Sequence, residues 1–195
     1  MGRPRLHDPD GLLDAAVRLF ARDGARGLTM AAVARESGSP SGSVYHAFPD
    51  RPALLAAVWL RTVRRFHDAY SEAFAAAETA ADAIRSVRWI VERCREDLGE
   101  ALVLQAGPQA FGAESWSAAA SAEWKELDAQ REQSIAAIVA RVAADCGLPR
   151  ADVAFAMYEL PLAVVRRHLL AGERPPDGAV DLAERLAGRL LHDGR

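Results

Sequence analysis

Residues 29–48 read TMAAVARESGSPSGSVYHAF, from Thr29 to Phe48, and their punctuation decides the fold. Thr29 stands ahead of the apolar positions Met30, Val33 and Ala34, where a hydroxyl satisfies amide groups that a first helical turn leaves without partners. Gly38 closes that short helix, because glycine accepts the left-handed backbone that commonly follows a last turn. Ser39 and Pro40 repeat the cap-then-proline signal and predict a further helix to about Ala47. A short helix, a tight turn holding a glycine and a second short helix make a helix-turn-helix. In such a motif the second helix enters the major groove of DNA while the first crosses the backbone.

Working outward, Asp8 and Pro9 start a first helix whose stripe of Leu12, Leu13, Ala16, Val17, Leu19 and Phe20 stops at Gly24. Asp50 with Pro52 starts a long fourth helix carrying Leu54, Leu55, Val58, Trp59, Thr62, Phe66, Tyr70 and Phe74 on one broad face. Beyond it, Ile84 to Leu98 marks a fifth helix and Ala101 to about Gln105 a short sixth, with breaks at Gly107-Pro108 and Gly112. A long seventh helix is predicted from Ser115 to about Cys146, an eighth from about Pro149 to Leu170 kinked at Pro161, and a ninth from Val180 to Leu191. Strand-like alternation is nearly absent, so the reading is all-α with about nine helices. Residues 1–55 are expected to form a three-helix DNA-binding domain with its motif at about 29–48, and residues 56–195 a larger helical domain.

The composition narrows the function. Half of the 195 residues are apolar, yet no run reaches the roughly 18 apolar residues of a membrane-spanning helix. No apolar stretch follows the MGRPRLHDPD opening, so no secretory signal is expected and the location implied is cytoplasmic. The net charge of −3 hides two halves: residues 1–70 hold 10 Arg against 7 acidic residues, +3, and residues 71–195 hold 14 Arg plus Lys against 20, −6. Lys125 is the single lysine; genomic base composition and phosphate recognition by guanidinium groups both account for that bias. Cys94 and Cys146 sit in apolar helical patterns and read as buried reduced thiols. The five histidines show no metal-ligand spacing, so neither metal nor cofactor is expected. The motifs of serine hydrolases, phosphate-binding loops, zinc proteases and dinucleotide folds are missing, which argues against an enzyme.

Within the motif, Ser41 and Ser43 are candidate donors to phosphate oxygens or base edges, and Tyr45 and His46 candidates for phosphates. Gly42 lets the helix backbone approach DNA without a Cβ. Packing is the competing role for Tyr45, and Phe48 reads as core.

Leu12 to Phe20 with Gly24, then LTMAAVARESG (28–38), then GSVYHAFPDRPALLAAV (42–58), resemble the TetR family of bacterial transcriptional regulators. The resemblance implies that Thr29 caps the second helix and touches a phosphate, and that Gly42, Ser43, Tyr45 and His46 lie at the DNA surface. Two positions depart from the family pattern: Ser41 stands where lysine is common and Ala47 where a second aromatic is common. The missing charge implies a shallower salt dependence. Arg3 and Arg5 are candidates for a narrow minor groove and Arg51 for a phosphate, whereas Arg61, Arg64 and Arg65 read as a solvated face.

The same resemblance implies a repressor, nucleoid-associated when bound, that holds palindromic double-stranded operator DNA as a homodimer and is released by a small-molecule effector. Helices 8 and 9 of this count, with Val153, Met157, Leu160, Val164, Leu169, Leu182, Leu186 and Leu190, are the expected dimer interface. Candidate effector contacts are Trp89, Phe111, Trp116, Trp124, Phe155 and Tyr158, with Arg93, Gln105 and His168 as polar handles; ordinary core packing competes for each aromatic. The alternative function is a helical dimeric scaffold or ligand-binding protein with a degenerate motif that binds no DNA.

Overall fold

The computed structural model describes residues 9–192. The Asp8 cap and the arm bearing Arg3 and Arg5 lie outside that range. Among the described residues the chain is helical without strands: α1 (Pro9–Gly27), α2 (Met30–Ser37), α3 (Ser41–Ala47), α4 (Arg51–Phe74), α5 (Ala80–Glu96), α6 (Leu98–Ala106), α7 (Ala118–Cys146), α8 (Arg150–Ala154), α9 (Leu160–Leu170) and α10 (Asp177–His192). Two 3-10 turns, Pro108–Phe111 and Ala113–Ser115, link α6 to α7. Within these bounds no helix is long and apolar enough to cross a membrane.

The chain divides into two compact units, one of residues up to Val63 with Leu102–Lys125, the other of Arg64–Ala101 with Glu126 onward. In unit one, α1 breaks at Gly24 (φ 66°) and packs against α2, burying Leu12, Leu13, Ala16, Val17 and Leu19 as the stripe predicts. Val44, Leu54, Leu55 and Val58 complete that core. Phe20 stacks on Phe111 at 4.8 Å, and Trp59 meets Phe111 at 5.9 Å and Trp124 edge-on at 5.5 Å. Arg61 belongs to this core and not to a solvated face. Its Nη1 donates to the Asp14 carboxylate at 2.7 Å and to the Asp10 carbonyl at 3.0 Å, leaving the residue 8% exposed.

In unit two, α10 packs along α5 and α9. The core gathers Tyr70, Phe74, Ile90, Ile138, Val142, Val153 and Met157. Thr79 caps α5 through a reciprocal capping box with Asp82. The kink expected at Pro161 takes a defined form: α8 and α9 join through a π-turn, Phe155–Glu159, in which the Leu160 amide donates to the Phe155 carbonyl five residues back. A proline ring clashes with the carbonyl four residues before it and offers no amide, and the wider turn absorbs both defects. Ser115 and Trp116 precede α7 and stand outside it; Ser117 provides the cap, its Oγ accepting from the Ala120 amide at 3.2 Å.

Candidate nucleic-acid interface

The helix-turn-helix is held by local hydrogen bonds that its residue types dictate. Thr29 has extended backbone (φ −116°, ψ 154°), and its Oγ1 accepts the Ala32 amide at 3.1 Å. At the far end Gly38 adopts φ 67°, and the Ser39 amide reaches back to the Ala34 carbonyl at 3.0 Å. That closure needs a residue without a Cβ penalty in the left-handed region. The third helix begins one residue later than the cap signal implies. Pro40, not Ser39, precedes its first turn, and no side chain caps it. The Ser43 amide bonds the Pro40 carbonyl at 2.9 Å instead.

Helix α3 has two faces. Val44 and Phe48 are buried together with Ser43, while Ser41, Gly42, Tyr45 and His46 are exposed. The exposed set follows the i, i+1, i+4, i+5 spacing of one helical face, and burial of the opposite face fixes which residues point outward. Ser43 therefore corrects the sequence reading: at 9% exposure it lies on the core side. Tyr45 is 57% exposed, the large apolar body of a tyrosine left unburied on a seven-residue helix. Gly42 has ordinary helical φ, and a Cβ built on it meets nothing within 4 Å. Nothing inside the chain requires glycine there.

Around this face, Thr29 is exposed and its hydroxyl proton is available even though its oxygen caps α2. Arg26 and Arg35 are exposed at the last turns of α1 and α2. Arg18 and Arg22 each reach Glu36 at 3.3 Å; the hydrogen bond from Arg18, then that from Arg22, holds the Glu36 carboxyl below its usual range. Arg51 turns inward to backbone: Nε donates to the Leu28 carbonyl at 2.7 Å and Nη2 to the Ala25 carbonyl at 2.6 Å.

The candidate effector residues separate between the units. In unit one, Phe111 is fully buried and Trp116 is 8% exposed, its indole Nε1 donating to the Phe111 carbonyl at 2.8 Å; both are core residues, with Trp124 and the half-buried Gln105 nearer the surface. In unit two, Trp89 and Tyr158 join Phe66, Tyr70 and Phe74 in an aromatic cluster with ring centroids 5.1–6.1 Å apart. The Tyr70 and Tyr158 hydroxyls bond each other at 3.0 Å, and burial pushes both phenols above their usual range. Phe155 is 44% exposed and outside that cluster. Arg93 pairs at 3.0 Å with Glu100, a carboxylate only 5% exposed that also takes Arg65 at 3.3 Å. Sequence reasoning misses this Arg-Glu-Arg group because a helix boundary falls between Arg93 and Glu100, which erases the periodic signal of an ion pair. Both cysteines are buried, and burial pushes the Cys94 thiol up to about 11.

Residues 12–58 match the family described as bacterial regulatory proteins, tetR family, a span that runs from the α1 stripe through the motif into α4. Solved structures share the fold along nearly the whole chain. The transcriptional regulator FadR from Bacillus subtilis, solved with stearoyl-CoA, has a TM-score of 0.71 at 15% identity, covering 94% of this chain and 98% of that one. The TetR family regulator PfmR from Thermus thermophilus gives 0.69 at 19% identity over 92% and 96%, and one from Marinobacter aquaeolei gives 0.66 at 18% over 93% and 94%. The sequence matches none of the curated proteins. The helix-turn-helix lies inside the segment matched to bacterial regulatory proteins, and the chain has the fold of the transcription regulators named above. The tetR-family match is confined to residues 12–58, and over the rest of the chain the likeness to TetR family regulators is one of fold.

Proposed function

We propose that the protein is a dimeric repressor that reads a palindromic operator with the Ser41, Gly42, Tyr45 and His46 face of α3 and leaves it when a small molecule binds the larger domain. The observation that carries this is the exposed Tyr45 on a short helix whose other face is fully used in packing. Thr29 adds a phosphate contact at the start of α2. One α3 spans only a few base pairs, so two must sit about 34 Å apart to read both halves of a site. Exposed Phe155 of the π-turn, Leu162 and Leu170 of α9 and Leu190 of α10 are the large apolar side chains open to self-association in this part of the chain. Val153, Met157, Leu160 and Leu169 are unavailable for it, because they are buried in the chain's own core.

The effector reading rests on the aromatic cluster of unit two, drawn from α4, α5 and the π-turn, together with the Arg65–Glu100–Arg93 group on α4–α6. The Bacillus subtilis neighbour was solved with stearoyl-CoA, a long apolar chain on an anionic head. An amphipathic anion of that kind is the effector class proposed here. Gel retardation with DNA from upstream of the protein's own gene, with and without stearoyl-CoA, tests both steps. Retardation at low salt that the acyl-CoA reverses is the expected result. Tyr45→Ala should abolish retardation while shifting unfolding free energy by less than about 0.5 kcal/mol, as surface substitutions do. A folded dimer that retards no DNA would favour the scaffold alternative.

A further inference from the structure

Arg51 is at the wrong end of its own helix. As the first residue of α4, its cation faces the positive end of that helix's dipole, where acidic residues are the stabilising choice. The neighbouring Asp50 fills the local role, its Oδ1 accepting the Ala53 amide at 2.8 Å. Arg51 looks elsewhere. Its fork spans the Ala25 and Leu28 carbonyls, at 2.6 and 2.7 Å, which are end-of-helix acceptors just past the Gly24 break in α1. Leu28 is also the residue before the Thr29 cap that starts α2. One guanidinium thus ties the first turn of α4 to the corner where α1 ends and the helix-turn-helix begins.

The planar fork is what makes the tie possible. Nε and Nη2 are held in fixed relation and meet two carbonyls three residues apart, which a lysine ammonium on a flexible stem does not reproduce. We infer that Arg51 is a positioning residue for DNA recognition: it fixes the entry of α2, and through the Gly38 turn the pose of α3, and supplies no phosphate charge. The inference rests on the DNA-binding reading above for its effect on affinity but not for the tie itself.

Operator affinity across a salt series separates the roles for wild type, Arg51→Lys and Arg51→Ala. A positioning role predicts that both variants lose affinity about tenfold, the scale of a lost base contact, with the slope of log K on log salt unchanged. A phosphate contact predicts that Arg51→Lys stays near wild type and that Arg51→Ala lowers the slope by about 0.9; that result, or unchanged affinity in both, overturns the proposal. Hydrogen exchange without DNA supplies a readout independent of operator binding. Amides of residues 28–33 should exchange faster in Arg51→Lys than in wild type while those of α5 do not change, and equal exchange at 28–33 overturns the tie even if no operator is found.

Discussion

Tyrosine meets opposite fates in the two units, and the contrast separates what holds the protein together from what it offers to a partner. Tyr70 is 4% exposed, touches the rings of Phe74, Trp89 and Tyr158, and commits its hydroxyl to Tyr158. Tyr45 leaves 57% of its surface in water while Val44 beside it is fully buried. A buried aromatic contributes stability through its area and through a satisfied hydroxyl. An exposed one on a seven-residue helix contributes little to the fold, which leaves it open to the operator contact proposed above. The arginines show the same division. Arg51, Arg61 and Arg141 direct their forks to backbone carbonyls of neighbouring elements, whereas Arg26 and Arg35 face solvent near the motif.

The largest effect expected is in the buried member of the pair. Tyr70→Ala removes the ring at the centre of the unit-two cluster and leaves the Tyr158 hydroxyl without its partner. Large-to-small changes of this kind cost about 3–5 kcal/mol. Urea unfolding measures it. A cost below about 1 kcal/mol would mean that the cluster collapses around the gap, and that its rings are not the structural counterpart to Tyr45.

Two threonines play the same local role in the two units. Thr29 caps α2 with Oγ1 3.1 Å from the Ala32 amide, and Thr79 caps α5 with Oγ1 3.2 Å from the Asp82 amide. Replacing either by alanine should cost about 1 kcal/mol. Their pH behaviour should differ. The third residue of α5 is Asp82, whose carboxylate accepts the Glu78 and Thr79 amides at 3.0 and 2.9 Å, and these bonds hold it down from 3.8 to about 2. A depressed carboxyl stabilises the fold fully above its unfolded value and loses that contribution as the proton binds. The capping box should therefore contribute above pH 3.8 and fade as pH falls through about 2. Asp82→Asn should flatten that limb of the stability profile, while Thr29→Ala, with Ala32 in the corresponding position, should leave it unaltered.

Backbone punctuation is legible in the sequence and side-chain destinations are less so. Thr29, Gly38 and Asp50 each act through a neighbour within four residues, so their roles follow from local order alone. The two faces of α3 follow from periodicity in outline, yet Ser43 reads as outward because small hydroxyls are compatible with either face. Arg51 and Arg61 escape because a long flexible side chain carries its charge well away from its own helix, and the carbonyls or carboxylates that receive it lie 23 to 51 positions distant in sequence. Trp116 and Phe111 look like ligand contacts for a similar reason: an aromatic suits a core and a pocket equally, and only tertiary packing decides. The π-turn is half visible, since Pro161 announces a defect in the helix but not how the backbone absorbs it.

The smallest change expected in stability bears most directly on the exposed face of α3. Gly42 lies inside α3 with helical backbone, open space where a Cβ would stand, and an exposed position. Alanine there should stabilise the folded chain by about 0.5–1 kcal/mol, because glycine loses more backbone entropy on entering a helix. A residue that weakens its own helix without any internal steric need for its bareness points to a need arising in the complex. If DNA approaches this backbone closely, Gly42→Ala should raise the melting temperature and weaken operator binding together. Gly38→Ala, which forces a Cβ into the left-handed region at φ 67°, should instead lower both. Opposite signs of stability change with the same loss of binding would separate a glycine kept for the partner from one kept for the turn. A Gly42→Ala protein that is more stable and binds as tightly as before would remove the backbone-approach argument for this helix, leaving Tyr45 as its main recognition element.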